Sequence, residues 1–458
     1  MTDFTPLLQP DRGQPARAIH LLAPDAFDAW RLTQPASTRA LLAAQRFTGK
    51  PGAHAIVPTD RDETRVVATI AEIASPWALA KLAERLPEGT YRIAGSDTGI
   101  GLLGWLLGQY RFDRYRKPDG EGPRILLTAE PARIAETVRL AEATGHVRDL
   151  VNTGAGDLGP QQLEDAAAAL AKATGATLTV TCGNALVTGY PMIHAVGRAA
   201  ARDRAPRLIE LEWGDPAHPR IAIVGKGVTF DTGGLDIKPS AGMRLMKKDM
   251  GGAAHALALA RLVIEAKLKV RLHLLIPAVE NAIASNAFRP GDVLMSRKGL
   301  SVENTNTDAE GRLILGDALT RAGEAAPELI LDFATLTGAA RVALGPDLPP
   351  LFTDDDTLAA DLLAAGVAVE DQMWRLPLWD GYDDMLKSDV ADMVNAPEGG
   401  FAGAITAALF LRRFVPAGVA WAHLDVFAWR PTARPGRPKG GDAYALRASY
   451  AVLKARYG

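Results

Sequence analysis

Two carboxylates and a guanidinium lie within five residues of one another around position 310. Asp308 and Glu310 are separated by one residue, and Arg312 follows after one more. Acidic side chains this close repel each other unless positive charge lies between them. A divalent metal ion suits carboxylate oxygens, and a neighbouring Arg suits a small anion or a developing oxyanion. Taken alone, the segment is equally compatible with an acidic loop before a helix.

Two further polar clusters stand at glycine-rich breaks in the chain. Lys226 lies between two glycines, Asp231 ends the same loop, and Asp249 shortly precedes another glycine pair. The first loop is not a Walker loop, because Gly227 stands where that motif requires Ser or Thr. Each residue has a simpler interpretation, as a solvated loop charge, a turn residue or a helix N-cap. Three such clusters at predicted strand or helix ends favour one shared site.

The clusters alternate with apolar runs typical of buried strands and helices. The runs typical of strands are Arg207–Trp213, Arg220–Val224, Val270–Val279 and Leu329–Thr335, and Gly252–Ala266 is typical of a helix. Near-continuous apolar strands between helices predict a sheet that is covered on both faces. Ligands in such folds bind at the loops beyond the strand ends.

The N-terminal part predicts a smaller α/β unit of its own. Its predicted elements are the helices Ser37–Gln45 and Trp77–Arg85 and the strand Arg124–Thr128, which follows a turn-rich stretch at 117–123. The segment Pro131 to Ala143 predicts a helix, because Pro starts it and apolar residues recur at helical spacing. We interpret this helix as the linker between two domains.

Composition argues against several classes of protein. The chain has 458 residues, 48% of them apolar, and a formal net charge of −2, so it lacks the basic excess of a general nucleic-acid binder. The basic run at 111–117 is interpreted as an exposed connection or a subunit contact. The single cysteine, Cys182, excludes an internal disulfide framework and a cysteine-based zinc site. We find no signal peptide and no membrane-spanning run, so a soluble, cytoplasmic protein is expected.

The segment 306–313, Asn-Thr-Asp-Ala-Glu-Gly-Arg-Leu, matches in full a long and specific family signature. On this segment the chain resembles the leucyl aminopeptidases, also called cytosol aminopeptidases or peptidase family M17. The resemblance extends to the segments 224–234, 243–254, 334–339 and 402–408. It covers about 148–430 well and is weak in the N-terminal part, which is the variable part of this family.

The resemblance implies an α/β fold with two domains. A smaller, variable N-terminal α/β domain is expected at 1–130 and a linker helix at 131–150. A larger catalytic α/β domain is expected at 151–458, with a central mixed sheet covered by helices on both faces.

The resemblance also implies two divalent metal ions per subunit, Zn²⁺ and/or Mn²⁺, with cobalt also compatible with such ligands. Their ligands would be Lys226, Asp231, Asp249, Asp308 and Glu310. Asp231 and Glu310 would bridge the two ions, and Asp308 would bind one of them through its carboxylate and its main-chain carbonyl. Lys226 would have to be neutral to bind a metal, which requires a lowered pKa.

The implied reaction releases N-terminal amino acids from peptides that carry a free N-terminus. A metal-bridging hydroxide would attack the first peptide bond. Lys238 would stabilise the oxyanion, and Arg312 would hold a bicarbonate ion that acts as the general base. The segment Thr335, Leu336, Thr337 and Gly338 would bind the substrate main chain, and Met246 would line the side-chain pocket.

The chain departs from the family pattern after its His-Leu-Asp segment. Phe427 stands where an Ala is expected, and Trp429 and Arg430 replace small residues or Met. This run indicates either a repacked loop or a reshaped side-chain pocket, in which Leu is no longer the preferred residue.

Other interpretations stay open beside a metallo-aminopeptidase. A dipeptidase of narrow specificity, for Cys-Gly for instance, fits the same motifs, and a DNA-binding role is disfavoured by the near-neutral charge. An inactive scaffold is disfavoured because all ligand and catalytic positions are kept. His255 is expected on the helix surface or behind the ligands, and His423 in a structural role; no His-Glu-x-x-His pattern occurs. The family assembles as homohexamers, which we carry over as an expectation.

Overall fold

The computed structural model describes residues 2–59, 63–95, 98–116 and 122–458. Most of the turn-rich stretch expected at 117–123 lies outside the described residues. The chain divides into two compact units. The first unit comprises 1–145 and 432–439, and the second comprises 146–431 and 440–458.

The first unit is built on a six-stranded mixed sheet. Its strands are β1 (Leu8–Pro10), β2 (Arg17–Leu22), β3 (His54–Pro58), β4 (Thr64–Thr69), β5 (Gly89–Ile93) and β6 (Arg124–Thr128). They lie in the order β1-β6-β5-β2-β4-β3, and only β3 runs antiparallel to its neighbour. The predicted strand Arg124–Thr128 is therefore confirmed, with the same bounds.

Five α-helices begin in the first unit. They are α1 (Phe27–Leu32), α2 (Ala36–Ala44), α3 (Ala80–Arg85), α4 (Leu102–Leu107) and α5 (Pro131–Asn152), with short 3₁₀ helices at Thr5–Leu7, Pro24–Ala26 and Gly99–Gly101. The predicted helix Ser37–Gln45 is confirmed to within one residue at each end.

Two of the predicted helix bounds in this part of the chain were wrong. The helix expected from Trp77 starts only at Ala80. The residues before it form turns with hydrogen bonds from residue i+3 to residue i, in which Ala78 N donates to Ser75 O and Ala80 N donates to Trp77 O. The helix expected to end at Ala143 continues to Asn152. The chain thus passes from the first unit to the second within α5.

The second unit contains a nine-stranded mixed sheet and two small sheets. Its strands are β7 (Thr177–Cys182), β8 (Arg207–Trp213), β9 (Arg220–Gly225), β10 (Gly227–Asp231), β11 (Arg271–Asn281), β12 (Val293–Met295), β13 (Ser301–Glu303), β14 (Leu329–Ala334), β15 (Pro350–Phe352), β16 (Trp374–Arg375), β17 (Met393–Val394), β18 (Ala420–Asp425), β19 (Trp429–Arg430) and β20 (Gly440–Gly441). The strand order of the large sheet is β16-β15-β18-β14-β9-β11-β8-β7, and β10 also pairs with β11.

The helices of the second unit cover both faces of this sheet. They are α6 (Pro160–Thr174), α7 (Gly183–Gly189), α8 (Pro191–Gly197), α9 (Ser240–Met243), α10 (Gly251–Glu265), α11 (Glu310–Gly323), α12 (Gly338–Leu344), α13 (Asp356–Ala368), α14 (Gly403–Arg412) and α15 (Leu446–Tyr457), with 3₁₀ helices at Arg202–Arg204, Met246–Lys248 and Asp380–Leu386. Within the described residues, none of the helices is long and apolar enough to span a bilayer.

The central strand β9 shows how the sheet is buried. Ala222 and Val224 are buried in one core cluster with residues of α8, α11 and α14. Ile221 and Ile223, which are also buried, point to the opposite face because side chains alternate along a strand. Helix α10, which packs on β9 and β14, is fully buried over most of its length. The expected α/β fold with a mixed sheet between two helical layers is confirmed.

The strands β10, β11, β9, β14 and β18 run parallel to one another. Their carboxyl ends therefore meet at one edge of the sheet, where Ala334 pairs with Asp425. The loops that leave this edge carry the polar clusters found in the sequence, in agreement with the general position of ligand sites in such sheets.

Candidate metal centre and active site

Lys226 and Asp231 are placed by the two strands that they adjoin. Lys226 connects β9 to β10, and Asp231 is the last residue of β10. The Lys226 side chain is buried and runs past the first turn of α11. A Cβ atom at Gly311 would lie only 2.7 Å from Lys226 Nζ, so a larger residue at this position would force the lysine side chain to move.

The loop before α11 brings Asp308 and Glu310 to the same place. Thr307 anchors this loop, because its hydroxyl donates to Gly233 O at 2.6 Å. Asn281, at the end of β11, donates from Nδ2 to Asp231 Oδ1 at 2.8 Å and to Thr307 O at 3.1 Å. Asn281 was not among the site residues predicted from the sequence, although a polar residue that ends a buried strand is a usable signal.

The carboxylates converge on a small volume that also holds two lysines. Asp231, Asp308 and Glu310 each offer an oxygen within 4.8 Å of the others. Lys226 Nζ lies 2.7 Å from Asp249 Oδ2 and 2.9 Å from Glu310 Oε1. Lys238 Nζ lies 2.7 Å from Asp231 Oδ2 and also pairs with Asp308.

The charges of this cluster do not balance without further cations. If all four carboxylates are ionised, they exceed the two closely paired ammonium groups by two charges, and by one if the Lys248 ammonium group, 3.8 Å from Asp249 Oδ1, is included. Burial, with the neighbouring Asp231 charge, raises the pKa of Glu310 to about 8 and that of Asp308 to about 6. Burial alone would lower the pKa of the Lys226 ammonium group, but without a metal ion the surrounding carboxylates raise it above its ordinary range. This direction is opposite to the lowered pKa expected of a metal ligand, which a bound cation would favour.

These side chains fit divalent metal ions. The donor set is rich in carboxylate oxygen with one amine, a set that suits Zn²⁺ and Mn²⁺. Among the described residues, the buried Glu310 Oε2 has no hydrogen-bond partner. A buried carboxylate oxygen without a donor is costly, and a cation would satisfy it.

Arg312 lies beside this cluster, in the first turn of α11, and is buried. Its Nη1 donates to Asn395 O at 2.7 Å, while its Nε has no hydrogen-bond partner within the described part of the chain. Burial lowers the pKa of Arg312 to about 10, against the opposing effect of Glu310. Asn395 also donates to Asn306 O at 2.7 Å, so it links the arginine to the metal-site loop.

A cleft of about 680 Å³ opens over the carboxylates. Its lining includes all of the residues that the sequence predicted for metal, catalysis and substrate: Lys226, Asp231, Lys238, Met246, Asp249, Asp308, Glu310, Arg312, Thr335, Leu336, Thr337, Gly338 and Phe427. The fold therefore brings these residues, which come from separate loops, to one surface.

Asp425 holds the loop that follows β14. Its Oδ1 accepts from Leu336 N at 2.9 Å, and its Oδ2 accepts from the Thr337 hydroxyl at 2.7 Å. Thr335 Oγ1 donates to Asp249 Oδ1 at 2.8 Å. The position of Asp425 at the end of β18 was visible in the sequence, but its role in fixing the loop was missed.

The three unusual residues after β18 have different surroundings. Phe427 lines the cleft, with Lys248 Nζ 5.1 Å and Arg341 Cζ 4.8 Å from its ring centroid. Trp429 and Arg430 are not among the described residues that line the cleft. Arg430 is instead buried, and it donates to Asp442 and Asp347, in each case at 2.8 Å.

The two histidines considered in the sequence are both buried behind the cleft. His255 Nδ1 lies 2.6 Å from Gly251 O, and its Nε2 accepts from Tyr444 N at 3.0 Å. The prediction that His255 lies on the helix surface was therefore wrong, because the small residues of α10 let the helix pack on all sides. His423 Nδ1 contacts Asp332 Oδ1 at 2.6 Å, which agrees with a structural role.

Models of protein families match both units of the chain. The model of the cytosol aminopeptidase family, catalytic domain, matches residues 146–449. The model of the M17 aminopeptidase N-terminal domain matches residues 18–128. The second match extends the similarity to the part of the chain where the sequence motifs were weak.

Curated relatives and solved structures agree with these matches. A probable cytosol aminopeptidase from Roseiflexus castenholzii is 39% identical over 86% of this chain and 84% of that relative. The crystal structure of cytosol aminopeptidase from Coxiella burnetii is 44% identical, with a TM-score of 0.94 over 99% of this chain and 100% of that one. The bottromycin maturation enzyme BotP in complex with Mn is 36% identical, with a TM-score of 0.86 over 96% of this chain and 100% of that one.

Proposed function

Because the chain belongs to the cytosol aminopeptidase family, we propose that its cleft uses two divalent metal ions to release N-terminal residues from peptides. Membership in this family makes the protein a metal-dependent aminopeptidase. The observation that carries the finer proposal is the grouping of Asp231, Asp308 and Glu310 within 4.8 Å of one another. This group lies at the strand ends where the chain has an excess of negative charge.

The five ligand residues are Lys226, Asp231, Asp249, Asp308 and Glu310. When bound, two such ions lower the pKa of a water molecule towards neutrality and hold a free α-amine. The requirement for a free amine restricts the reaction to the N-terminal residue. Zn²⁺ and Mn²⁺ are the proposed ions, and the Mn complex of BotP, a related chain, supports the second of them.

Lys238 is proposed to donate a hydrogen bond to the oxyanion of the tetrahedral intermediate. Its ammonium group lines the cleft and lies between Asp231 and Asp308, which hold it at the edge of the metal site. These carboxylates raise the pKa of Lys238 above its usual range, so the group stays a donor. A donor of this kind contributes about 2.7–4 kcal/mol to transition-state stabilisation in other enzymes.

Arg312 is proposed to hold a bicarbonate ion, which supplies the general base. The unpaired Nε of this buried arginine and its place in the cleft lining support the proposal. Among the described residues that line the cleft there is no histidine, and both ring nitrogens of the buried His255 are engaged with backbone groups. An arginine fork binds a planar carboxylate-like anion through parallel hydrogen bonds.

The substrate main chain is proposed to bind along Thr335, Leu336, Thr337 and Gly338. Asp425 fixes this loop through Leu336 and Thr337, so it is ordered before substrate arrives. We further propose a cytoplasmic homohexamer, as the family resemblance implies. Mass measurement of the native protein tests the assembly, and a monomer would contradict it.

A metal-depletion experiment tests the function. The protein is stripped with a chelator and assayed on a panel of aminoacyl anilides before and after Zn²⁺ or Mn²⁺ is restored. An N-acetylated anilide serves as the control. Activity is expected only with metal and only on free amines. Hydrolysis without metal, or hydrolysis of the acetylated control, would overturn the proposal.

A further inference from the structure

Two cationic side chains flank one aromatic ring in the wall of the cleft. Lys248 Nζ lies 5.1 Å and Arg341 Cζ 4.8 Å from the centroid of the Phe427 ring. All three residues line the same cleft as the metal ligands. Their grouping was not expected from the sequence, because they come from the 3₁₀ helix before α10, from α12 and from the loop after β18.

Neither cation is well neutralised by the protein. The Lys248 side chain is only 6% exposed. Among the described residues, Lys248 Nζ has one carboxylate oxygen within 4 Å, Asp249 Oδ1 at 3.8 Å. That oxygen already accepts from Thr335 Oγ1. Arg341 is exposed and pairs with no carboxylate within the part of the chain that the structure describes. A ring face attracts a cation only weakly at an exposed site.

The nearby Asp425 does not supply the missing counter-charge for Lys248 and Arg341. Its two oxygens accept hydrogen bonds from the Leu336 and Thr337 main chain and from the Thr337 hydroxyl. A buried lysine without a close counter-ion is unfavourable unless an anion is supplied from outside. The cleft wall is therefore electrostatically complementary to an anionic group of a ligand.

The position of the pair shows which part of a ligand could supply that group. Lys248 directly precedes Asp249, a proposed metal ligand, and both line the cleft with Arg341. On the proposed function, on which this inference rests, the α-amine of the substrate is held at the metals. A carboxylate elsewhere on a short substrate would then lie over the same wall.

We infer that the cleft wall formed by Lys248, Arg341 and Phe427 binds a carboxylate of the substrate. The carboxylate has two chemical sources. One is the side chain of an N-terminal Asp or Glu, and the other is the C-terminal carboxylate of a dipeptide. Both present the same planar anion to the guanidinium and ammonium groups.

Two substrate pairs distinguish these sources in the metal-loaded protein. The first pair is a Glu anilide and a Gln anilide, which differ in the N-terminal side chain alone. The second pair is the dipeptide Ala-Gly and its C-terminal amide. At least about a tenfold preference in kcat/KM for the acid is expected in one pair, carried mainly by KM, as for one charge-assisted contact. The pair that shows it identifies the source.

Variants link the preference to the two cations. Lys248→Met and Arg341→Gln are each expected to reduce it to near unity, and Arg341→Glu to reverse it in favour of the neutral partner. Val342→Gln is the matched control on the same helix, because Val342 is 85% exposed and outside the cleft lining. This control is expected to keep the preference of the unmodified protein.

The result also separates this inference from the proposed function. Hydrolysis of a Leu anilide with no acid preference in either pair would overturn the inference and leave the function intact. A preference that survives in both Lys248→Met and Arg341→Gln would overturn it as well. If the metal-loaded protein hydrolyses none of these substrates, the Leu anilide included, the proposed function and the inference are overturned together.

Discussion

Asn281 donates a hydrogen bond from Nδ2 to Asp231 Oδ1 at 2.8 Å, and this bond joins the ends of two neighbouring parallel strands. The same amide reaches Thr307 O at 3.1 Å, one residue before Asp308. A single uncharged side chain thus orients a proposed ligand on β10 and the loop that carries two more.

Replacement of Asn281 by Leu is expected to weaken metal binding by about 10–100-fold, the range found for partners that orient metal ligands. The isosteric change removes the donor to Asp231 and leaves Thr307 O unpaired. Calorimetric titration of the stripped protein with Mn²⁺ measures the affinity. Asn184→Leu, on an exposed face of α7, is the control; equal affinities in the two variants would remove Asn281 from the site.

Replacement of Lys238 by Met is expected to lower kcat by about 10²–10³-fold with little change in KM, because the lost contact forms only in the transition state. Metal content must be measured beside the kinetics, since Lys238 also pairs with Asp231 and Asp308. A loss of kcat that follows the loss of metal in proportion would contradict an oxyanion role.

Replacement of Phe427 by Ala is expected to change the ranking of N-terminal residues in kcat/KM. The ring lines the cleft and lies close to two cations, so its removal changes both the volume of the cleft and the surroundings of these charges. Large N-terminal side chains are expected to gain relative to small ones. The aminoacyl anilide panel measures the ranking, and an unchanged order would exclude Phe427 from the side-chain pocket.

Asp317 predicts a pH dependence of stability that is separate from catalysis. Its carboxylate accepts from Met192 N and Ile193 N, at 2.9 and 3.2 Å, in the first turn of α8, and from Arg297 N at 2.8 Å. Burial nevertheless raises the pKa of Asp317 from 3.8 to about 7. The folded protein then holds this proton more tightly than the unfolded chain does, so the contribution of Asp317 to stability falls as pH rises from about 4 to about 7.

The variant Asp317→Asn removes this titration. We compare the free energy of unfolding of the unmodified protein with that of the variant. Their difference is expected to decrease by a few kcal/mol as pH rises from about 4 to about 7, since each unit of pKa shift corresponds to about 1.36 kcal/mol. Urea unfolding at a series of pH values measures the difference. Parallel curves for the two proteins between these limits would contradict the raised pKa.

The sequence predicted four of the nine strands of the large sheet, β8, β9, β11 and β14, because these strands are apolar on both faces. Arg207–Trp213 was predicted with the observed bounds, and the helix at Gly252 began one residue from its observed start. The bounds of the helix near Trp77 were less accurate, because short-range turns precede it without interrupting the apolar pattern.

The metal-site loops could be predicted because their residues form contiguous motifs. The contacts made by Lys248, Arg341 and Phe427 could not, since they depend on how α12 and the loop after β18 fold back onto the cleft. His255 shows a second limit. The apolar run at 252–266 indicated a buried helix, but it did not show that the side carrying His255 is buried as well.

The segment Thr432–Lys439 belongs to the first unit, although the residues on both sides of it belong to the second. Within the first unit, Gly436 N donates to Glu84 Oε1 at 2.7 Å, and Arg437 Cζ lies 4.4 Å from the Trp77 ring centroid. The two units are therefore not independent modules that a single cut in the gene separates. Recombination between relatives that exchanges the N-terminal unit must carry this distant insert with it, or the donated unit will lack part of its own surface.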